Sequence, residues 1–409
     1  MSERYSRRDF LIGALTSGTL TAGALYLLPG GRSTPAIELT LATGADDTGA
    51  RALLIDMWNR ANPNATVRPH TLRGDTGDQL REMDGLARSG QADILNLDII
   101  HIPHFASQEL ITPIELENPN VFLERTLVAN RVENDTRQYW AAPFNTDVGL
   151  LFQRRPDDET AADPSTLAEV IDNAPPGSRQ FVGQLRPTAS DSYEAFVVNF
   201  LEHALSRDPE ILSETGAPAY ELLRWQAALE PLAAAVADER IALADTEGDT
   251  INEFMGTNGP RRAAMRNWPV AYRTLQQRND PDVRAGRIQV DALPIGVLGG
   301  QSLAIARNSR HRGAAADFIR FVTGEAAQKV LAAHGLAPTR IAAYNDENLR
   351  AFIPHLETVR GAVERARPRP IHANYGAFAR AIVDHGLPLL HQGIDLPPEF
   401  VEKLVVALV

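Results

Sequence analysis

The chain has 409 residues, of which 44% are hydrophobic and 22% are charged, and its formal net charge at pH 7 is −12. This length exceeds what one hydrophobic core usually supports, so we expect a soluble protein with at least two domains or lobes. The negative charge argues against nucleic acid and anionic lipid as main partners, since phosphate surfaces need a clustered positive field. Cysteine is absent, which excludes disulfides, thiolate metal sites, cysteine nucleophiles and a lipid anchor on cysteine.

Residues 1–36 are predicted to form an export signal. Ser6-Arg7-Arg8-Asp9-Phe10-Leu11 precedes a moderately apolar stretch from Leu11 to Leu28, a pattern typical of twin-arginine signals. Thr34-Pro35-Ala36 is a poor cleavage site, so the segment is expected either to be removed or to stay as a membrane anchor. An ordinary arginine-rich helix start is the alternative interpretation.

The next hundred residues alternate between strand and helix patterns. Strands are predicted at Ile37–Ala42, Val67–Leu72 and Ala92–Asp98, and helices at Ala50–Ala61 and Asp78–Ser89. Such alternation is typical of βαβ units on a mostly parallel sheet.

The α/β pattern continues in a second region after Gln153. A long helix is predicted at Ala217–Asp238 and a strand at Gln301–Ala306. Arg312–Gly335 is predicted to divide into helices, the first with one apolar face turned inward. That face contains Ala314, Ala315, Phe318, Ile319 and Val322.

Seven short segments follow one another in an order that is typical of one protein family. They are Trp58–Pro63, Leu97–Ile100, Met265–Tyr272 (MRNWPVAY), Leu298–Ile305 (LGGQSLAI), Ala314–Leu331, Ala337–Arg340 (APTR) and Ala366–Pro370 (ARPRP) with Tyr375. Together they resemble the family 1 extracellular solute-binding proteins, and within them the trehalose- and maltose-type binders. The resemblance runs from about Leu39 to about Leu390, and the order of the motifs makes it specific.

That resemblance implies an α/β, two-lobed periplasmic-binding-protein-like fold of type II, similar to maltose-binding protein, with hinge strands and a cleft between the lobes. By analogy, residues 37–144 and 289–339 form the N-terminal lobe, and residues 145–288 and 340–409 form the C-terminal lobe. The chain is expected to cross between lobes near Phe144–Val148, Ile288–Pro294 and Thr339–Tyr344.

A sugar offers hydroxyl groups and apolar C–H faces, so its site needs carboxylates, amides, guanidinium groups and aromatic platforms. Trp268 is the first candidate for a platform, because Pro269 keeps it out of the helical region and displays its ring from a turn. A tryptophan of the core is the alternative. The neighbouring Asn267 and, in the LGGQSLAI strand, Gln301 are further candidates for ligand binding.

Polar residues near the ends of predicted strands are the next candidates. Asp98 ends a buried strand, where a carboxylate at the edge of a parallel sheet suits ligand contact; a helix N-cap is the alternative. Asp46 follows the first strand and is a candidate for the same reason, with an ordinary turn or helix cap as the alternative. Asn145 and Asp147 lie where a strand meets the expected hinge, and solvated turn residues are the alternative.

The resemblance itself adds further candidates. Tyr193 and Glu194 resemble the family's YEG element, although this chain has alanine third, and a plain helix start is the alternative. Glu247 corresponds loosely to a ligand carboxylate of the family, with an exposed surface charge as the alternative. Arg369 matches an arginine that reaches sugar hydroxyls, whereas Arg340 is expected to form a structural ion pair at the hinge.

Departures from the family pattern bear on the ligand. The family often has an aromatic residue where this chain has His101, an acid at the position of His104, and tryptophan at that of Gln301. The loss of two rings predicts a small polar disaccharide or a modified sugar rather than a long maltodextrin.

The predicted function is capture of a sugar, a disaccharide or short oligosaccharide, by lobe closure and its delivery to the permease of an ABC importer. The expected partners are a carbohydrate and permease subunits, without nucleic acid, cofactor or metal, for a monomer exported to the outer face of the cytoplasmic membrane or the periplasm. No enzyme is predicted, because His101 and His104 lack further clustered ligands and neither HExxH nor GxSxG occurs. A binding module that senses a ligand for a signalling partner is the alternative.

Overall fold

The computed structural model describes residues 36–73, 76–132, 135, 137–155, 166–188 and 193–409. The predicted export signal therefore lies outside the described residues, apart from Ala36. Within the described residues, every helix is too short or too polar to cross a membrane.

The strands are β1 (Ile37–Thr43), β2 (Ala65–Thr71), β3 (Ile94–Asp98), β4 (Ile111–Thr112), β5 (Ile114–Glu115), β6 (Gln138–Tyr139), β7 (Ala142–Val148), β8 (Leu150–Arg154), β9 (Phe181–Gln184), β10 (Ile241–Ala244), β11 (Ala264–Asn267), β12 (Ile288–Ala292), β13 (Val297–Ala306), β14 (Ala337–Pro338) and β15 (Arg367–Pro368). The helices are α1 (Ala50–Ala61), α2 (Thr76–Ser89), α3 (Ile102–Ser107), α4 (Glu124–Val128), α5 (Leu167–Asp172), α6 (Tyr193–Arg207), α7 (Leu222–Ala237), α8 (Glu247–Met255), α9 (Val270–Gln277), α10 (Pro281–Arg284), α11 (Arg312–Val322), α12 (Glu325–Ala333), α13 (Ile341–Tyr344), α14 (Glu347–Phe352), α15 (Leu356–Arg365), α16 (Tyr375–Gln392) and α17 (Glu399–Val406).

The first lobe is built on a sheet in the order β14-β7-β13-β3-β1-β2, with β4 and β15 also paired to β13. β1 runs parallel to β2 and β3, and α1 and α2 connect them, as the alternating pattern predicts. β13 runs antiparallel to β3 and β7. Helix α11 buries Ala315, Phe318, Ile319 and Val322, so the predicted apolar face packs on this lobe, with Ala314 at its half-buried margin.

The second lobe is built on a sheet in the order β10-β9-β11-β8-β12. β9 is parallel to β10 and β11, whereas β8 is antiparallel to β11 and β12. Helices α6, α7, α16 and α17 pack together in this lobe. Their contacts bury Phe196, Trp225, Phe378 and Phe400, which gives the second lobe a core of its own.

The chain passes between the two sheets at three places. β7 of the first sheet continues into β8 of the second at Gly149. Residues 293–296 lead from β12 back to β13. After β15, residues 369–374 lead into α16, which packs in the second lobe. The first two crossings lie next to their predicted positions.

The third crossing and two lobe boundaries differ from the prediction. Because β15 pairs in parallel with Val297–Leu298 of the first sheet, the chain leaves that sheet after Pro368 rather than near Thr339–Tyr344. Asn145 belongs to the first sheet, since all of β7 pairs there, and Gln289 belongs to the second with β12. Helix α15 contacts both β7 and β12 and so bridges the lobes.

Candidate functional site

A cavity of about 370 Å³ lies between the two lobes, a volume within the usual range of small-molecule sites. The first lobe lines it with Gln79, Asp98, Asp147, Gly299, Gly300 and Gln301, and the third crossing adds Arg369. The second lobe lines it with Glu194, Ala195, Val198, Asp245, Thr246, Glu247 and Trp268. We call this cavity the cleft.

The structure brings most of the predicted site residues together in the cleft. Those that line it are Asp98, Asp147, Glu194, Glu247, Trp268, Gln301 and Arg369. Four predicted residues, Asp46, Asn145, Tyr193 and Asn267, lie outside its lining.

Asp46 has the structural role that was the alternative interpretation. Its Oδ1 accepts hydrogen bonds from the backbone amides of Thr48 and Gly49, and its Oδ2 accepts one from the amide of Ala52. These bonds, together with the Arg51 charge, outweigh burial and lower the pKa of Asp46. The carboxylate therefore stabilises the turn into α1 and is not a lining residue of the cleft.

Asn145 and Asn267 lie directly behind the lining. Asn267 is buried; its side chain donates to the backbone carbonyl of Glu247 at 3.1 Å and accepts from the amide of Trp268 at 2.8 Å. Asn145 is also buried, and its Nδ2 donates to Asp147 Oδ2 at 3.3 Å. Both asparagines thus hold lining residues in place. Tyr193 begins α6 and packs against the core of the second lobe.

Asp98 serves as both a cap and a lining residue. It ends β3, and its Oδ1 accepts from the amide of Ile100 at 3.1 Å, capping the 3-10 helix Ile99–His101. Its side chain is still 35% exposed and lies 3.5 Å from Arg369 Nη2. The cap and the ligand-contact interpretations are therefore compatible.

Arg369 is buried at the point where the lobes meet. Its Nη1 pairs with Glu194 of the second lobe, and its Nη2 lies near Asp98 of the first. Burial lowers the pKa of Arg369, but the Glu194 and Asp98 carboxylates more than compensate and raise it. Glu194 also accepts from the Tyr375 hydroxyl at 2.6 Å. This network joins the two walls of the cleft.

Asp147 has a carboxylate whose pKa is shifted strongly upward. Burial and the neighbouring charges of Asp98 and Glu247 raise its pKa to about 7, against the partial compensation of Arg266 and Arg369. A group with such a pKa changes charge near neutral pH, so its protonation depends on what occupies the cleft.

Trp268 follows β11 and presents its ring to the cleft. The ring nitrogen donates to Glu247 Oε1 at 3.1 Å, and the guanidinium carbon of Arg266 lies 3.9 Å from the ring centroid. Glu247 is the first residue of α8, whose N-terminus is closed by a capping box of Thr246 and Asp249. The platform is therefore fixed by a hydrogen bond on its edge and a cation on its face.

Behind the platform lies a buried ion pair that the sequence did not indicate. Arg266 Nε lies 2.5 Å from Glu202 Oε2, and Arg266 Nη2 lies 2.9 Å from Glu202 Oε1. Both side chains are 0% exposed. Glu202 Oε1 also accepts from the amide of Val297, the first residue of β13 after the second crossing. The pair thus joins the platform to the crossing strands.

Two glycines allow the backbone to approach closely near this pair and in the cleft. A Cβ at Gly149 would lie 2.1 Å from Glu202 Oε1, so the first crossing has room only for glycine. Gly300 in the cleft has φ +123°, and a Cβ there would lie 2.5 Å from the carbonyl oxygen of Asn145. Glycine alone adopts this geometry without strain.

Sequence reasoning missed several lining residues, among them Gln79, Asp245 and Thr246. Asp245 follows β10 directly, but β10 was not predicted from the sequence, so the rule that identified Asp98 at the end of β3 could not be applied to it. Arg340 departs from the prediction in another way: its Nε donates to the Thr323 carbonyl, its guanidinium lies 4.9 Å from the Phe122 ring centroid, and among the described residues it makes no ion pair. The predicted hinge ion pair of Arg340 is therefore wrong.

The described residues contain no group of three histidine or acidic side chains that could hold a metal ion. His101 and His104 lie in different environments. His104 faces Asp84 at 3.6 Å, whereas burial lowers the pKa of His101 to about 4. The described residues that line the cleft offer carboxylates, amides, a hydroxyl, a guanidinium and an indole ring for hydrogen bonding and stacking.

Comparison with solved structures shows the same architecture. The maltose-bound MalE3 of T. maritima superposes with a TM-score of 0.77 at 23% identity, over 91% of this chain and 99% of that chain. The GacH receptor of Streptomyces glaucescens GLA.O, solved unliganded and with acarbose, superposes with a TM-score of 0.75 at 17% identity, over 91% of this chain and 98% of that chain. The chain therefore has the two-lobed fold of these binding proteins.

Sequence comparison identifies the family. A probable ABC transporter-binding protein of Deinococcus radiodurans is 28% identical over 249 residues, which are 56% of this chain and 58% of that protein. The alignment thus spans little more than half the length of that relative. The family described as bacterial extracellular solute-binding protein matches residues 42–329, well over half of the chain. The chain belongs to this family of bacterial extracellular solute-binding proteins.

Proposed function

We propose that this protein captures a small carbohydrate in the cleft by closure of its two lobes and delivers it to the permease of an ABC importer. The observation that carries the proposal is the lining of the cleft, where Trp268 from one lobe faces hydrogen-bonding groups from both. An indole ring and several ionised or amide groups are what a sugar's C–H faces and hydroxyls require. The ligands named for MalE3 and GacH, maltose and acarbose, support the same class of ligand.

The size and lining of the cleft favour a disaccharide or short oligosaccharide. Trp268 is the one aromatic residue among the described residues that line it, and a long maltodextrin needs several platforms. Gln301 takes the place of a further ring; its Oε1 accepts from Asn96 at 2.8 Å, which directs an amide toward the ligand rather than an apolar face.

Closure in this proposal is a rotation of the two sheets about Gly149, residues 293–296 and residues 369–374. Hinges of a few residues between rigid bodies are the usual basis of such movement. The first moving body is the sheet that contains β1 and β13, and the second is the sheet that contains β8 and β11. Arg369 of the third hinge segment pairs with Glu194 of the second body, so this ion pair lies at the hinge itself.

The proposal also covers the oligomeric state of the protein and its location in the cell. The protein binds and releases its ligand without chemical change and acts as a monomer on the outer face of the cytoplasmic membrane or in the periplasm. Residues 1–36 direct export and, where they are not cleaved, anchor the chain. Membrane fractions compared with and without Arg7→Lys plus Arg8→Lys test this part, because a twin-arginine signal requires both arginines.

A thermal-shift screen of the purified protein tests the binding function. The screen contains trehalose, maltose, longer maltodextrins, other disaccharides and polyols. A ligand that binds only the folded state raises the Tm by an amount that grows with the logarithm of its concentration relative to Kd, so we expect a shift with at least one short sugar and a smaller shift for that sugar with Trp268→Ala. No shift with any sugar would contradict the proposal.

A further inference from the structure

The cleft carries far more negative than positive charge. Five acidic side chains line it, and among the described lining residues one basic side chain accompanies them. The acids are Asp98, Asp147, Glu194, Asp245 and Glu247, and the base is Arg369. Arg266 lies behind Trp268, but Glu202 already neutralises it.

Two of the five carboxylates have no cationic partner among the described residues. Arg369 is shared by Glu194 and Asp98. Asp147 accepts a hydrogen bond from the Asn145 amide, and Glu247 accepts one from the Trp268 ring nitrogen, both neutral donors. Asp147 and Glu247 therefore lie in the same cleft with only neutral hydrogen-bond donors, and the more distant Arg266 and Arg369 compensate the charge around Asp147 only in part.

A partly buried carboxylate without a counter-charge is costly, and the cost falls when a cation arrives. The raised pKa of Asp147, to which Glu247 contributes, agrees with this crowding. A neutral sugar supplies hydroxyl donors but no charge. A protonated amine supplies both, and hydrogen bonds between charged groups are about twice as strong as those between neutral ones.

A second, independent feature points to an acceptor on the same ligand. Arg369 is 4% exposed and lines the cleft, and its Nε has no partner among the described residues. A buried donor without an acceptor is unusual, and since Arg369 lines the cleft, an oxygen of the ligand is a group that could accept from it. The Trp268 ring adds a place for a C–H face. The cleft is thus complementary to a small molecule that carries an amine, a hydroxyl or ring oxygen, and an apolar face.

We propose that the ligand is an amino sugar, a short saccharide or cyclitol whose protonated amine lies between Asp147 and Glu247 while an oxygen accepts from Arg369. This inference rests on the proposed capture of a carbohydrate and specifies its chemical class.

Matched pairs of sugars test the inference by isothermal titration calorimetry. Trehalose is compared with its 2-amino derivative, and cellobiose with the β-1,4-linked glucosamine dimer. In at least one pair the amine binds about tenfold more tightly than its neutral parent, the difference between a charge-assisted and a neutral hydrogen bond. That excess shrinks when NaCl is raised from about 0.05 M to about 0.5 M, because salt screens the attraction.

Variants locate the effect in the cleft. Asp147→Asn and Glu247→Gln each lower the ratio of amine to neutral affinity about tenfold, since they remove one charge and keep the side-chain shape. Asp317→Asn is the control, because Asp317 is 60% exposed on α11 and pairs with Arg320 away from the cleft. It leaves the ratio unchanged. Circular dichroism verifies that each variant is folded, and the two cleft variants serve as independent tests.

The outcomes separate this inference from the function on which it rests. Neutral parents that bind as tightly as their amines in every pair overturn the inference and leave sugar capture intact. Binding of putrescine as tight as that of the amino sugar overturns the saccharide part. Binding of neither sugar class contradicts both the inference and the proposed function.

Discussion

Glu202→Gln is the substitution whose effect the structure determines best. It keeps the size of the side chain but removes the negative charge that faces Arg266 in a setting where neither side chain is exposed to solvent. The guanidinium then stays buried without a counter-charge, and the amide can accept only some of the hydrogen bonds now made by Arg266 and by the Val297 amide.

Removal of one partner of a buried ion pair costs about 3–5 kcal/mol. That is a large part of the total stability of about 5–15 kcal/mol typical of folded proteins. We therefore expect Glu202→Gln to lower the free energy of unfolding by about 3–5 kcal/mol in urea titrations followed by circular dichroism. Since Arg266 packs on Trp268, affinity for the sugar falls as well.

Glu239→Gln is the matched control. Glu239 pairs with Arg179 at 2.9 Å, but the two side chains are 58% and 50% exposed. An exposed pair contributes less than about 1 kcal/mol, so this variant stays close to the parent. If Glu202→Gln also changed stability by less than about 1 kcal/mol, the buried pair would not be a structural link between the platform and the crossing strands.

The remaining predictions concern the platform, the titrating groups and the first crossing. Trp268→Ala weakens sugar binding by about tenfold or more in calorimetry, because stacking and burial of an indole contribute at least about 1.4 kcal/mol. Unchanged affinity would show that the ring does not contact the sugar. Burial and neighbouring carboxylates raise the pKa of Asp147 to about 7. Because hydrogen-bond donors of the ligand favour the ionised carboxylate, affinity for the sugar falls as the pH drops from about 8 to about 6. Asp147→Asn makes the affinity less dependent on pH. Burial lowers the pKa of His203 from 6.5 to about 4. As the pH drops from 6.5 to about 4, the unfolded chain takes up the proton first, so the free energy of unfolding falls by up to about 3 kcal/mol. His203→Gln makes the free energy of urea unfolding less dependent on acid pH. An equal dependence in the variant and the parent would show that His203 is not the titrating group. Gly149→Ala brings a Cβ within 2.1 Å of a carboxylate oxygen of the buried ion pair and lowers stability by about 1–3 kcal/mol, whereas Gly259→Ala, where a Cβ meets nothing within 4 Å, serves as its control.

Local patterns were sufficient to predict the elements whose apolar faces alternate regularly. Helix α1 has the predicted bounds, Ala50–Ala61, because its apolar spacing and the Asn62-Pro63 stop are both local. Strand β13 was predicted only from Gln301 but begins at Val297. Gly299 and Gly300 weaken the strand pattern, yet their pairing with Asp147 and Thr146 of β7 keeps them in the strand. Tertiary contacts override propensity there.

Long-range pairings set the limits of the prediction elsewhere. Helix α7 begins at Leu222 instead of Ala217, because Leu212 and Pro218 pair as a bridge and hold the preceding residues in a turn. The Arg266–Glu202 pair joins positions 64 residues apart, and no local spacing indicates it. The third crossing was misplaced for the same reason, since the pairing of β15 with β13 depends on the folded sheet.

The candidate site was predictable where a residue type follows a buried strand. That rule identifies Asp98, which lines the cleft, whereas Trp268 is identified by Pro269 and the MRNWPVAY motif. It fails for Asp46, because a carboxylate after a strand can also cap the next helix, and only the folded loop shows which donors it meets. The same ambiguity made Asp98 uncertain from sequence, and the structure shows that it caps and lines the cleft at once.

Small-angle X-ray scattering of the purified protein, with and without the sugar that gives the largest thermal shift, measures closure of the two lobes directly. Capture by lobe closure predicts a smaller radius of gyration in the presence of that sugar, and for Trp268→Ala the same contraction requires about tenfold more sugar. An unchanged radius of gyration at saturating sugar would contradict lobe closure about the cleft as the mode of capture.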